Sequence, residues 1–206
     1  MRTTWRWPRD HDEGDLIVSE MDEVIPALVA AVQEQHATGD HYRDDAIRQA
    51  MEHQAQLALR PGPVRVDVIV DPPWSDGQIN SVQVVTGDRP FLVDTVASCL
   101  LRHGWRVEDV RHPIIGVKRD RGTIEAVGMP GRGGCASESW IHIDATAPLG
   151  TDIGQAAEQL RDDLCACLDQ VVCATDDWGA MHEAMLRTAE LVSASSRQDY
   201  HRYSSR

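Results

Sequence analysis

An α+β fold built on an antiparallel four-stranded sheet, with helices on one face and helical extensions at both ends, is what the sequence predicts. Three observations carry it. Residues 65–70 and 79–85 are β-branched-rich runs around the loop 71–77 (DPPWSDG), the pattern of a hairpin. Residues 82–120 read strand, turn, helix, long strand, and residues 138–145 (ESWIHIDA) add a strand after a glycine-rich gap. A helical pattern follows from Thr151 to about Val172, and no β-branched run comes after it. This is the order of a ferredoxin-like module that lacks its last strand. A hairpin puts residues 65–70 antiparallel beside residues 79–85, in the slot that the missing strand would fill.

Each element has its own signal. Residues 1–15 (MRTTWRWPRDHDEGD) are expected to be disordered and contain no apolar core of a secretory signal. Asp22, Glu23 and Pro26 mark a helix start, after which Ile25, Leu28, Val29 and Val32 keep helical spacing. A second helix spans residues 44–59, with Ile47, Met51, Ala55 and Ala58 on one stripe, and Pro61-Gly62-Pro63 stops it. Pro90 opens the next helix, whose apolar positions are Phe91, Val93, Val96, Leu100 and Leu101, and Gly104 closes it. Residues 105–118 are extended, since His112 precedes Pro113. Ile153, Ala157, Leu160, Leu164, Cys167, Leu168 and Val171 line one face of the long helix that Thr151 caps. A last helix carries Trp178, Met181, Met185, Leu186 and Ala189. The expected organisation is therefore a disordered segment 1–15, a helical extension 16–63, the α+β module 64–175, a C-terminal helix 176–192 and a frayed polar tail 193–206.

The formal charge of −13 disfavours nucleic acid and anionic membrane surfaces as partners. The longest apolar run, around residues 24–32, is too short to span a bilayer. Five cysteines without a regular framework fit a reducing cytoplasm, which is the expected location.

Few residues present chemistry. Gly131-Arg132-Gly133-Gly134-Cys135-Ala136 has a dinucleotide-like spacing, but a strand follows where the pyrophosphate needs a helix N-terminus, so it reads as a loop. Cys165 and Cys167 lie about 200° apart on a helix and cannot chelate one ion together. His182-Glu183 lacks the second histidine of a zinc-protease helix. His112 and His142 fall on strands and read as structural. The one candidate site is Gly87, Asp88 and Arg89, between a strand and a helix N-terminus, where free N–H groups and the Arg89 fork suit a carboxylate. A tight turn with Asp88 as the helix cap is the favoured reading of the same residues.

The words Arg89-Pro90-Phe91-Leu92-Val93-Asp94, His112-Pro113 and Glu138-Ser139-Trp140-Ile141-His142, in that order, resemble the N-terminal ACT-like region of the large bacterial NAD-specific glutamate dehydrogenases. The resemblance covers roughly residues 40–191. It implies an ACT-type fold and a regulatory or assembly role in an enzyme that oxidatively deaminates L-glutamate to 2-oxoglutarate with NAD. It also implies self-association, the remaining domains of the dehydrogenase as partners, and an amino-acid effector. The family's catalytic lysines and nucleotide-binding glycines have no counterpart here, so this chain alone is expected to hold no cofactor and to be inactive. ACT modules that bind ligands commonly have glycine after the proline of this loop, where this chain has Phe91. Two other readings stand beside this one: a free-standing ACT-like homodimer that senses an amino acid, and a small ferredoxin-like hydrolase using His112 or His142.

Overall fold

The computed structural model describes residues 16–17, 21–35, 44–75, 77 and 79–203. The chain divides into two compact units, residues 1–169 and 170–206. The expected disorder of residues 1–15 lies outside the described residues.

The first unit contains β1 (Leu16–Ile17), α1 (Met21–Gln35), α2 (Asp44–Ala58), β2 (Val64–Ile69), β3 (Asn80–Gly87), α3 (Leu92–Arg102), β4 (Arg106–Arg111), β5 (Ile114–Asp120), β6 (Thr123–Gly128), β7 (Ala136–Thr146) and most of α4 (Ile153–Thr175). β7 is the spine. β3 pairs antiparallel along one side of it, from Asn80↔Ala145 to Gly87↔Glu138. β4 and β5 share the other side: β4 covers the second half of β7, from Arg106↔Thr146 to Arg111↔His142, and β5 covers the first, from Ile114↔Ser139 to Val117↔Ala136. Pro113 has no N–H to give a ladder, so the strand breaks there, while its carbonyl still accepts from Trp140 N at 2.9 Å.

The β2–β3 hairpin forms as the sequence predicts, with Val64↔Thr86 through Ile69↔Ser81 in antiparallel register and β2 at the sheet edge. The sheet nevertheless exceeds the four strands expected: among the described residues it has seven, in six positions because β4 and β5 share one. The additional pair is β6 against β5 and β1 against β6. β5 and β6 are joined by Arg121 (φ 47°) and Gly122 (φ 91°), and two consecutive positive φ values are what a tight two-residue hairpin requires.

Helices cover both faces of this sheet, not one. On the first face Val24, Leu28, Val29 and Val32 of α1, with Met51, Ala55 and Ala58 of α2, join Val85, Ile115, Val117, Val127 and Trp140 in one apolar core. The stripe read for α2 is thus the buried one, with Ile47 packed at its margin. Residues 16–63 are therefore part of the sheet-bearing unit, and they contribute a strand as well as two helices. By the pleat, Val82, Val84, Ile141 and Ile143 point to the other face and are fully buried. α3 and α4 cover it, burying Leu92, Val96 and Leu100, and Ala157, Leu160, Leu164 and Leu168.

The second unit holds the end of α4 and α5 (Trp178–Tyr203), whose 26 residues run past the helix end expected near residue 192. Met181, Met185, Leu186, Leu191 and Val192 of α5 are exposed. No helix among the described residues is long and apolar enough to cross a membrane.

Candidate functional site

Gly87 ends β3, and Asp88, Arg89 and Pro90 lead to α3. Asp88 does not cap that helix. Its N–H donates to Ser137 O at 2.8 Å, and its carboxylate accepts from Ser139 Oγ at 2.6 Å, so both groups bind β7. The N-cap is Phe91, at φ 72° and ψ 6°, and it makes no side-chain capping bond. A left-handed conformation costs a residue with a Cβ about 1–2 kcal/mol, so glycine is the residue this backbone prefers. Phe91 is 55% exposed and does not fill the space over Gly87; it lines a cleft between α3 and α4. The Arg89 guanidinium folds back, with Nε donating to Gly87 O at 3.4 Å.

Two polar atoms near this loop lack hydrogen-bond partners among the described residues: Thr86 Oγ1, on a residue 1% exposed, and His112 Nε2. Burial pushes the His112 pKa down, and the neighbouring Asp88 charge pulls it up. Thr86 pairs with Ser139 in the ladder, and Ser139 bonds Asp88, so these groups gather at one end of the sheet. The structure therefore brings Gly87, Asp88 and Arg89 together with Ser139 and His112.

Sequence reasoning did not find the buried polar chain on the face under α2. His53 Nδ1 lies 2.8 Å from Gln83 Oε1, and Gln83 Nε2 donates to Ala50 O at 2.9 Å and reaches His142 Nδ1 at 3.2 Å. His142 Nε2 then faces both Asp144 Oδ1 at 3.0 Å and Ser81 Oγ at 3.1 Å, and Asp144 is paired with Arg111. The signal was available: Ser81 and Gln83, and His142 and Asp144, are polar residues two apart in otherwise apolar strands, hence on one face.

Serine, histidine and aspartate meet here without forming a hydrolase triad. A triad needs the acid on one ring nitrogen and the nucleophile on the other, whereas both meet Nε2 of His142 and an amide donor occupies Nδ1. Gln83 Nε2 donates to Nδ1, which makes neutral His142 with its proton on Nε2 the fitting tautomer. Burial, the largest influence, lowers the His142 pKa against the pull of Asp144. With Ser81 0%, His142 5% and Asp144 3% exposed, no substrate reaches the group. It acts as a structural tie between α2 and the sheet, assisted by Gln54 Nε2, which donates to Ile141 O at 2.9 Å.

A second buried ionic group lies on the same face. Arg119 of β5 grips Glu138 of β7 with two bonds of 2.6 and 3.0 Å and donates to Ala58 O at the end of α2. Arg65 of β2 is 7% exposed and donates to Arg60 O at 2.5 Å. Burial and then the Arg119 charge lower its pKa, and Glu138 raises it. Glu138 thus bonds Arg119, and its charge also acts on the buried Arg65.

A strand and a helix, then further antiparallel strands of the same sheet and a second helix on its face, define an ACT-like α+β module. The sequence model of the glutamate dehydrogenase ACT1 domain matches residues 27–164, and the chain belongs to that family. The match begins within α1, which agrees with the packing of α1 and α2 against the sheet. No curated protein matches the chain.

Proposed function

We propose that this chain is the N-terminal regulatory and assembly module of a large NAD-specific glutamate dehydrogenase, and that its loop Gly87–Asp88–Arg89 takes an amino acid or similar carboxylate. Oxidative deamination of L-glutamate to 2-oxoglutarate with NAD then belongs to other parts of the full-length enzyme, and self-association and contact with those parts are the module's work. The observation that carries the reading is the α3 N-terminus. It has no side-chain cap, the Asp88 carboxylate is engaged with Ser139, and Arg89 lies beside Gly87. Helical N–H groups attract an anion, and the guanidinium adds a charged fork. The negative charge of Asp88 opposes the anion, so affinity falls near the millimolar range, about 4 kcal/mol.

The test is a calorimetric titration of the chain with amino acids, together with Arg89→Gln and Phe91→Gly. Binding weakens in Arg89→Gln and is kept or improved in Phe91→Gly, whose backbone prefers the observed φ. Binding that ignores Arg89, or that maps away from residues 86–95, overturns the assignment of the loop.

A further inference from the structure

We propose that Cys99 and Cys167 form a reversible disulfide that joins α3 to α4, with Cys167 meeting the oxidant and Cys99 resolving the product. The two sulfurs belong to a cleft of about 370 Å³ lined by Phe91, Thr95, Ser98, Cys99, Arg102 and Cys167. Arg102 Nη2 reaches both of them, Cys99 Sγ at 3.6 Å and Cys167 Sγ at 3.3 Å, so one guanidinium holds two thiols together. Both sulfurs also line the one cleft, so the guanidinium and the cleft bring α3 and α4 together at the two cysteines. Beside them His103 Nε2 lies 2.8 Å from Asp163 Oδ2 and ties the end of α3 to α4, fixing the alignment of the pair.

Accessibility divides the roles. Cys167 is half-buried at the cleft, and Cys99 is 1% exposed beneath it. The sulfur that meets the oxidant is thus the accessible one, and Arg102 Nη2 stands 3.3 Å from it. Cys165 is only two residues from Cys167, yet burial and the charges of Asp169 and Asp162 push its thiol up. Burial likewise raises the Cys99 thiol, in keeping with its place beneath the cleft.

The oxidant is a hydroperoxide. The Cys167 sulfur attacks one oxygen of hydrogen peroxide, the O–O bond breaks, and the departing hydroxide takes up the thiol proton as water. Cys167 is then a sulfenic acid. The Cys99 sulfur attacks the sulfenic sulfur, the S–O bond breaks, and the second hydroxide leaves as water with the Cys99 proton. Two thiols are oxidised, one peroxide is reduced to two waters, and a thiol reductant reverses the link. The product bolts α3 to α4, and α3 is the helix that follows the Gly87–Arg89 loop.

The experiment treats the reduced full chain with one equivalent of hydrogen peroxide, counts thiols, and maps peptides by mass spectrometry. Trypsin leaves Cys165, Cys167 and Cys173 on one peptide, so fragment ions assign the partner of Cys99. Two thiols per chain are lost, the link is Cys99–Cys167, and dithiothreitol restores both. In Cys99→Ser the sulfenic acid persists on Cys167 and is trapped by dimedone. In Arg102→Gln thiol loss slows roughly threefold to tenfold, because no guanidinium then holds the two sulfurs in one place. A link to Cys165 or Cys173, a link between chains, dimedone on Cys165 instead of Cys167, or an unchanged rate in Arg102→Gln overturns the proposal. Circular dichroism verifies that each variant folds, and if Cys99→Ser does not, the wild-type link and the Arg102→Gln rate decide.

Discussion

Glu138→Gln should destabilise the protein more than Arg119→Met, although each removes one half of the same ion pair. The side chains of Arg119 and Glu138 are 15% and 9% exposed, and the buried Arg65 lies within reach of the same negative charge. Removing the Glu138 charge leaves two buried guanidinium groups repelling each other with their shared counter-charge gone. Breaking a buried pair in this way costs roughly 3–5 kcal/mol. Arg119→Met leaves Glu138 with Arg65 as its remaining cation, and the methionine keeps the volume of the arginine stem. Its cost is the loss of hydrogen bonds, including those to Ala58 O and Gly122 O, about 1–2 kcal/mol. At about 2–4 °C per kcal/mol for a chain of this size, Glu138→Gln lowers Tm by roughly 6–20 °C. Urea denaturation followed by circular dichroism measures both costs. Equal costs, or a larger one for Arg119→Met, would show that Arg65 does not share the carboxylate.

Stability should fall as pH drops below about 6.5, the ordinary histidine value, because burial holds the folded-state pKa of His142 below it. In that window the unfolded chain binds the proton and the folded chain does not, with a slope of up to about 1.4 kcal/mol per pH unit; His142→Gln flattens the profile, and an unchanged slope would place the proton elsewhere. Gly116→Ala puts a Cβ 2.5 Å from Gly128 O and from the Met129 carbonyl carbon, so it costs about 1–3 kcal/mol of overpacking, read as a lower urea midpoint. Gly179→Ala, in α5 with nothing within 4 Å of the new Cβ, instead stabilises its helix by roughly 0.5–1 kcal/mol. Light scattering at tens of micromolar should show self-association, through the β2 edge or the α5 face of Met181 and Met185, and Met185→Glu weakens it if the helix is the contact. A monomer throughout would remove that expectation.

The strands of the module were legible because period-two alternation in residues 65–70, 79–85 and 138–145 states both strand and register. α1 and α2 were legible as helices from their apolar stripes, but a stripe does not say which surface it covers. Their docking on Val85 and Trp140 depends on residues far along the chain. β6 escaped because Glu125 interrupts a short apolar run, although Asp120-Arg121-Gly122 carried a turn signal between two β-rich segments. β1 is two residues long and has no period to read. At the candidate site the position of Gly87–Arg89 followed from its place between strand and helix. That Asp88 binds Ser139, 51 residues later, and leaves the helix uncapped did not. The left-handed backbone of Phe91 was not legible, since nothing local to a phenylalanine signals a positive φ.

The dependence of α1 and α2 on the far strands sets a timetable for synthesis. Gln54 finds its carbonyl partner 87 residues later, at Ile141, and Leu16 pairs with Val127. A nascent chain therefore displays Leu28, Val32, Met51 and Ala55 before the surface that receives them has left the ribosome. Contacts this distant close late, because loop entropy is lost before any burial is gained. At about 5–20 residues per second, the wait from Gln54 to Ile141 lasts roughly 4–17 seconds. For that interval the first helices are a target for chaperones, and the arrival of β7 is the event that ends it.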